Sequence, residues 1–368
     1  MFSLKDKQLI TSIVSKIKNK HTHVKFMHVC GTHQDTLMKH GLDSLLSSCG
    51  VTILQGPGCP VCVTSPMEIE EMITLASHNK IVTSFGDMMQ VPGEHHSLNY
   101  MRTKGCDVRT VYSIEDAVSI AEKNKEKEIV FMAVGFETTA PTTAATLITE
   151  PPENFSILSA HRTIPPALKT ILEMGELQLD GFIDPGHVST IIGTKPYDFI
   201  SEKYDIPQVI AGFEPVDLVM ATWLLLQQKE QQNPHVENEY ARAVNPEGNK
   251  KAKQVINKVF EPCDSKWRGF PVIPKSGLRL RSSFQCYDAR RKFKDDLEEI
   301  QKREIKEPKG CRCGELLRGL ITPDDCPLFG KRCTPESPVG PCMVSDEGSC
   351  NIVFKYGNWY KKKAKVDI

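Results

Sequence analysis

No uninterrupted apolar run in this 368-residue chain reaches the roughly 18–20 residues that a membrane span needs. Charge of one sign is not in excess either. Lys and Arg number 46, and so do Asp and Glu, for a formal net charge of zero. A nucleic-acid partner would call for a basic surplus, so none is expected. The opening residues MFSLKDKQLI contain no apolar signal-peptide core and read as the start of a helix. A cytoplasmic location with no membrane partner is the expectation. A Walker P-loop and a GxGxxG fingerprint are both missing, which leaves nucleotide binding with little support. The chain also has only one CxxC, whereas a tetrahedral zinc knuckle is commonly built from two.

What is present in quantity is cysteine, 13 residues in all. An odd number without a signal peptide makes a poor disulfide framework and turns attention to metal ligands, redox centres or core thiols. Cys311, Cys313, Cys326, Cys333, Cys342 and Cys350 crowd into one C-terminal stretch, while Cys30, Cys59 and Cys62 sit in Gly-rich turns. Cys106 reads as a structural core thiol.

Short apolar runs alternate with helical patterns from residue 24 to 226. The runs are VKFMHV (24–29), VTIL (51–54), IVTSF (81–85), DVRTVYS (107–113), IVFMAVGF (129–136), FSILSA (155–160), GFID (181–184) and QVIAG (208–212). Such βα repetition predicts mainly parallel sheets covered on both faces. In SPMEIEEMITLASHN, Ser65 is the expected N-cap and Pro66 the first helical residue. The charged KNKEKE at 123–128 divides two series of similar length. The expected fold class is α/β, with two similar domains at 20–125 and 126–228. A helical and irregular Cys-rich domain follows at 229–368, with residues 1–19 joined to it. Its polar 229–260 and charged 293–306 segments read as helical. Its last part holds too little apolar surface for a core of its own, so a bound metal centre is a source of order.

Gly-rich signatures follow the predicted strands: CGTH (30–33), GPGCPVC (56–62), FGDMM (85–89), GFETT (135–139), DPGHVS (184–189) and GFEP (212–215). Turns at the carboxyl ends of parallel strands are where sites form. Glycine alone also serves a tight βα turn. Together, these turns suggest a cleft between two domains. Cys30 precedes His33 by three residues. At a helix start its thiol pKa is expected to fall, making it a nucleophile or a metal ligand; the plain alternative is a small buried thiol. Cys59-Pro60-Val61-Cys62 favours a reversible dithiol over half a zinc site or simple packing. Glu137, Thr138, Thr139, His187 and Glu214 could bind ligands or move protons, or else cap helices and turns; Asp87 is a weaker candidate. The tail thiols suit an iron–sulfur cluster, with zinc as the competing metal. Since four thiolates are enough, two would be spare.

In this order CGTHQ, GPGCPVCVT, FGDMMQVPG, VGFETTAPT, PPAL, DPGHVS, AGFEPVD and CPLFGKRCTPESPVGPCMVSDEGSC resemble the HypD family, iron–sulfur maturation factors of nickel–iron hydrogenases, over about residues 24–356. The resemblance implies a role in building the Fe(CN)2CO group of the hydrogenase active site. Partners would be a HypC-type chaperone, with iron held between the two proteins, and a HypE-type cyanide donor. It implies that Cys30 is the iron ligand with His33 beside it, and that Cys59 and Cys62 form a redox dithiol nearby. It also implies a 4Fe–4S cluster on the pattern Cys-x14-Cys-x6-Cys-x16-Cys, which falls on Cys311, Cys326, Cys333 and Cys350. Cys313 and Cys342 would be the spare thiols. Two rival readings are a scaffold without chemistry and a free-standing dithiol oxidoreductase.

Overall fold

The computed structural model describes residues 4–357. Residues 1–3 and 358–368, at the ends of the expected third unit, lie outside the described residues. Among the described residues eleven strands form: β1 (Val24–His28), β2 (Val51–Gln55), β3 (Ile81–Ser84), β4 (Val108–Thr110), β5 (Ile129–Gly135), β6 (Phe155–His161), β7 (Gly181–Pro185), β8 (Gln208–Ala211), β9 (Val236–Asn238), β10 (Phe260–Lys266) and β11 (Val272–Leu280). The first eight coincide with the apolar runs of the sequence. Where both faces of a sheet are covered, a strand can be apolar throughout; β5 is buried at every residue.

Two parallel sheets result. One has the order β2-β1-β7-β8-β9 and the other β4-β3-β5-β6; β10 and β11 form an antiparallel hairpin. The chain starts the first sheet, leaves it after β2 to build the whole second sheet, and returns with β7. The two α/β units are real, but the boundary expected at 125/126 does not follow the sheets. Alternation along the sequence reports local periodicity and says nothing about pairing. Here Phe26 pairs with Gly181 and Met27 with Phe182, while β2 and β3, neighbours in sequence, lie in different sheets.

The helix Leu4–Lys18 packs on the helix Pro215–Gln231. Its Ile13 and Ile17 share a core with Phe26, Leu37 and Leu218. It therefore belongs with the first sheet and not with the C-terminal part. The stretch after residue 228 is also less helical than expected. The helix Pro215–Gln231 ends just inside it, β9 extends the first sheet, and Lys250–Val259 is the further helix before the hairpin. The hairpin packs against the second sheet, where Ser159 Oγ donates to Leu278 O at 2.6 Å. The charged helix spans Lys294–Gln301 and stops there.

The Cys-rich tail does not stand apart. Leu316, Leu317, Phe329, Met343 and Val353 enter the same buried cluster as Met27, Val29, Val130 and Phe182 from the two sheets. Among the described residues, no helix is long and apolar enough to cross a membrane.

Candidate functional site

β1 and β2 are parallel neighbours, with His28 level with Gln55. Their carboxyl ends therefore release CGTH and GPGCPVC side by side. Gly56 N–H donates to His28 O at 2.8 Å and Gly31 N–H to Gly58 O at 3.2 Å. Gly58 lies so close to Cys30 that a Cβ there would fall inside 3.0 Å of Cys30 N and Cα and of Val29 C. Two motifs that begin at Cys30 and Gly56, well apart in sequence, are thus one packed unit, brought together by the strand register.

Cys30 is the N-cap of the helix Gly31–Lys39 and is buried. Burial pushes its thiol up to about 11, against the pull of the His33 and Thr32 amides. The lowering expected from its place at a helix start is real but smaller than the desolvation of a thiolate. His33 is fully buried. Its Nε2 lies 2.9 Å from Gly212 O, so Nε2–H donates and Nδ1 is left buried without a partner. Burial lowers its pKa to about 3, which keeps the ring neutral. His28, which the sequence reading passed over, bonds Gln34 Oε1 through Nε2 at 2.8 Å and is likewise lowered to about 4 by burial.

Cys59 caps the short helix Pro60–Val63, its sulfur accepting from Cys62 N–H at 3.1 Å. The two cysteines are joined as a disulfide with Cα atoms 5.2 Å apart, and both are fully buried. After the turn, Ser65 and Glu68 form the capping box expected of the helix Pro66–Ser77. Glu68 in turn receives Arg162 at 2.6 Å.

The remaining loops divide. Glu137 Oε1 accepts from Ile164 N–H at 2.9 Å and so caps the helix Ile164–Met174; its Oε2 is buried without a partner, and burial raises the carboxyl to about 7. Exposed His187 stacks on Phe213 at 3.8 Å between ring centroids; His33 approaches the same Phe213 at 5.3 Å. Glu214 caps its own helix in a box with Asp217. Asp87 accepts from Ser345 Oγ at 3.1 Å, tying the FGDMM turn to the tail. Sequence reasoning missed Asp184 and Tyr197. Both are fully buried at these strand ends, and Asp184 has no partner for either oxygen. The available signal was an acid closing the apolar run GFID.

Five tail thiols, Cys311, Cys313, Cys326, Cys333 and Cys350, line one small pocket. All four thiols of the expected pattern are there, and Cys313 joins them. Cys342 is fully buried outside that lining. Cys311 Sγ and Cys313 Sγ are 3.2 Å apart, and Gly340 presses on both, since a Cβ there would lie 2.5 and 2.6 Å from them. Cys333 Sγ accepts from Val339 N–H at 3.3 Å. The hydrogen bond with Cys313, then burial, raises the Cys350 thiol; burial alone leads for Cys333. Thiols raised by crowding and desolvation lose their protons when a cation supplies the missing charge. This donor set, sulfur on a Gly- and Pro-rich backbone, fits an iron–sulfur cluster, although the described side chains do not form a ready coordination shell of three or more His, Cys, Asp or Glu.

Residues 341–348 connect this pocket to the strand ends. Pro341 O lies 3.9 Å from Cys62 Sγ. Glu347 packs on Gly31, where a Cβ would lie 2.5 Å from that of Glu347. Residues 341–348 therefore join Cys30, the Cys59–Cys62 turn and the thiol pocket, with Pro341, Cys342, Met343, Ser345 and Gly348 buried and Asp346 and Glu347 exposed.

Residues 5–357 match the model of a family described as HypD, hydrogenase formation hypA family. The chain is 49% identical to a putative hydrogenase expression/formation protein of Methanocaldococcus jannaschii, over 97% of this chain and 99% of that one. It is 41% identical to hydrogenase maturation factor HypD2 of Bradyrhizobium diazoefficiens, over 96% of both. It is 40% identical to hydrogenase maturation factor HypD of Escherichia coli, over 94% of this chain and 95% of that one.

Proposed function

The chain belongs to the HypD family of hydrogenase maturation factors, and from that premise we propose that it assembles and carries Fe(CN)2CO for a nickel–iron hydrogenase. In this reading it acts in the cytoplasm, holds the iron between itself and a HypC-type chaperone, and receives cyanide from a HypE-type donor. The observation that carries the proposal is the meeting of Cys30 with the Cys59–Cys62 turn at the ends of two paired strands.

Cys30 is the protein's iron ligand. A soft thiolate suits low-spin ferrous iron that also binds cyanide and carbon monoxide. Metal binding supplies the positive charge that the buried thiol needs to release its proton. Neutral His33, fixed by Gly212 O, holds a buried Nδ1 without a partner and adds no charge. The dithiol is the two-electron store: the disulfide takes two electrons and two protons to give two thiols. A 4Fe–4S cluster held by four of the pocket thiols would supply electrons singly. Cys311, Cys326, Cys333 and Cys350 are the proposed set, and all four reach the pocket. Glu137, through its cap on Ile164, holds the second sheet's loop in place.

A free-standing disulfide oxidoreductase needs an accessible sulfur. Both dithiol sulfurs are fully buried, which disfavours that role.

Infrared spectra of the anaerobic complex with the chaperone test the proposal. Wild type should show iron-bound cyanide and carbon monoxide bands. Cys30→Ala should lose them and keep the visible absorption of the tail cluster. Bands retained in Cys30→Ala would remove Cys30 from the role.

A further inference from the structure

Lys and Arg are almost never fully buried unless they are paired. Among the described residues two arginines are nearly wholly buried, Arg162 and Arg268. Arg162 faces Glu68, itself buried, so its charge is answered inside the fold. Arg268 is answered only in part. Its side chain is 0% exposed, while its acid, Glu307 at 2.7 Å, is 45% exposed. Water screens the carboxylate far more than the guanidinium, which leaves positive charge uncompensated in the interior.

Hydrogen bonds fix the place of that charge. Arg268 N–H donates to Val63 O at 2.9 Å and Nε–H to Thr64 O at 3.0 Å, on the two residues that follow Cys62. Nη2 donates to Pro92 O at 3.4 Å and Nη1 to Glu307, which precedes the cysteines of the tail. The next residue, Gly269, lies against Gly314; a Cβ on Gly269 would be 2.2 Å from Gly314 Cα. Gly314 follows Cys313, and the helix Cys313–Leu317 packs on the dithiol helix Pro60–Val63. Arg268 and Gly269 thus reach from the dithiol turn to the thiol pocket. The charge is felt there: the hydrogen bond with Cys313 and then burial raise the Cys311 thiol, and Arg268 pulls against them. Arg312 lines the pocket too, but it is partly exposed and paired with Glu315, so water screens it.

We propose that Arg268 is a positioning residue that fixes a permanent positive charge between the dithiol turn and the thiol pocket and so raises the reduction potential of the iron–sulfur cluster in that pocket. This deepens the function proposed above and rests on its cluster. A cluster on four thiolates is anionic, and its reduction adds one electron while forming and breaking no bond. A fixed cation favours the more negative, reduced form, and net charge is one of the levers that set cluster potentials. Arginine suits the task, because its guanidinium stays charged and its planar fork holds several acceptors at once.

Redox titration of the anaerobic full chain tests this, with an electrode as the electron source and the cluster absorption as the readout. Arg268→Met removes the charge and keeps the stem. Arg268→Lys keeps the charge without the fork. Glu307→Gln removes the counter-charge at a half-exposed position. Arg268→Met should make the cluster harder to reduce, by about tenfold in the equilibrium constant, or about 59 mV for a one-electron couple. Arg268→Lys should lie closer to wild type, and Glu307→Gln should make the cluster easier to reduce. Opposite signs in Arg268→Met and Glu307→Gln are the signature, since a packing role has no reason to produce them. If Arg268→Met fails to fold, the sign in Glu307→Gln decides. An unmoved potential in Arg268→Met, an equal shift in Arg268→Lys, or an unmoved or lowered potential in Glu307→Gln overturns the proposal while the cluster stands. A wild-type chain that holds no cluster removes the cluster from the proposed function and overturns the charge effect with it.

Discussion

Gly58→Ala is the smallest change that separates Cys30 from the dithiol turn. The added methyl carbon would fall within 3.0 Å of three backbone atoms, Cys30 N, Cys30 Cα and Val29 C. Backbone cannot rotate aside as a long side chain can, so the turn or the strand end has to move. Overpacking of this kind costs about 1–3 kcal/mol, sometimes more. At about 2.1 cal/mol/K of unfolding entropy per residue, that lowers the Tm of a 368-residue chain by roughly 1–4 °C. The displacement acts on the Gly31 N–H to Gly58 O bond and on the position of the Cys30 thiol. Gly86→Ala is the control. Its new Cβ would meet only Thr110 Cγ2, at an ordinary 3.7 Å. Thermal unfolding of both variants, with a hydrogenase maturation assay, reads the result. Gly58→Ala should lose stability and maturation, and Gly86→Ala should stay within about 0.5 kcal/mol of wild type. Wild-type Tm and maturation in Gly58→Ala would refute the close packing of the two motifs.

Replacing Cys326 or Cys333 by Ala should abolish the visible iron–sulfur absorption and release about four irons per chain, whereas Cys106→Ala should keep both; stoichiometric zinc without labile sulfide in the wild type would point to the other metal. Thiol counting at poised potentials should show Cys59 and Cys62 changing together by two electrons, with a midpoint of roughly −200 to −300 mV. Either Cys→Ser change should then stop maturation while leaving the cluster in place; normal maturation in both would leave only a packing role. Buried Glu68 meets Arg162 at 2.6 Å and Arg290 at 3.7 Å. Burial opposes its charge, but the two guanidiniums win and its pKa lies below the ordinary value. Its contribution to stability is therefore complete above the unfolded-state pKa and is lost as pH falls through the lower folded-state value. Arg162→Met should cost about 3–5 kcal/mol at neutral pH, and less in acid, as read from denaturant melts.

Strands were legible because a strand buried on both faces writes an unbroken apolar run. VKFMHV, IVFMAVGF and FSILSA each became β-structure within a residue or two of the expected ends. The start of the helix at Pro66 was legible too, since Ser65, Pro66 and Glu68 are all local signals. Pairing was not, because which strands meet depends on apolar faces distant in sequence. β9 is three residues of moderate exposure, and β10 alternates polar residues around Pro262, so neither carries a strong strand signal. In the site, the motifs drew attention to Cys30, His33 and the dithiol, since Cys and His in Gly-rich turns are conspicuous. The state of Cys30 was not readable: a helix start lowers a thiol pKa and burial raises it, and only the fold says which is larger. Asp184 escaped for a related reason. A carboxylate's lack of partners is a property of three dimensions.

The tail explains why burial dominates at Cys30. Its thiol pocket is built over Gly340, and the next residues run directly onto the strand ends, with Pro341 at Cys62, Ser345 at Asp87 and Glu347 at Gly31. Ser345 and Ser349 are almost wholly buried and anchor this segment, while Asp346 and Glu347 between them are exposed. Whatever orders the pocket thiols would therefore also act on the residues that meet Gly31 and Cys62. Crowded, uncharged thiols repel a loss of protons, and Cys311, Cys313 and Cys350 are already near one another. A cation there would draw the thiolates together and tighten residues 340–350 against the dithiol turn. Conversely, loss of that cation would loosen the same residues and let water reach Cys30, where a lower desolvation penalty brings the thiol back toward its ordinary range. Such a coupling between the pocket and the protonation of Cys30 would run through packing and need no charge between them.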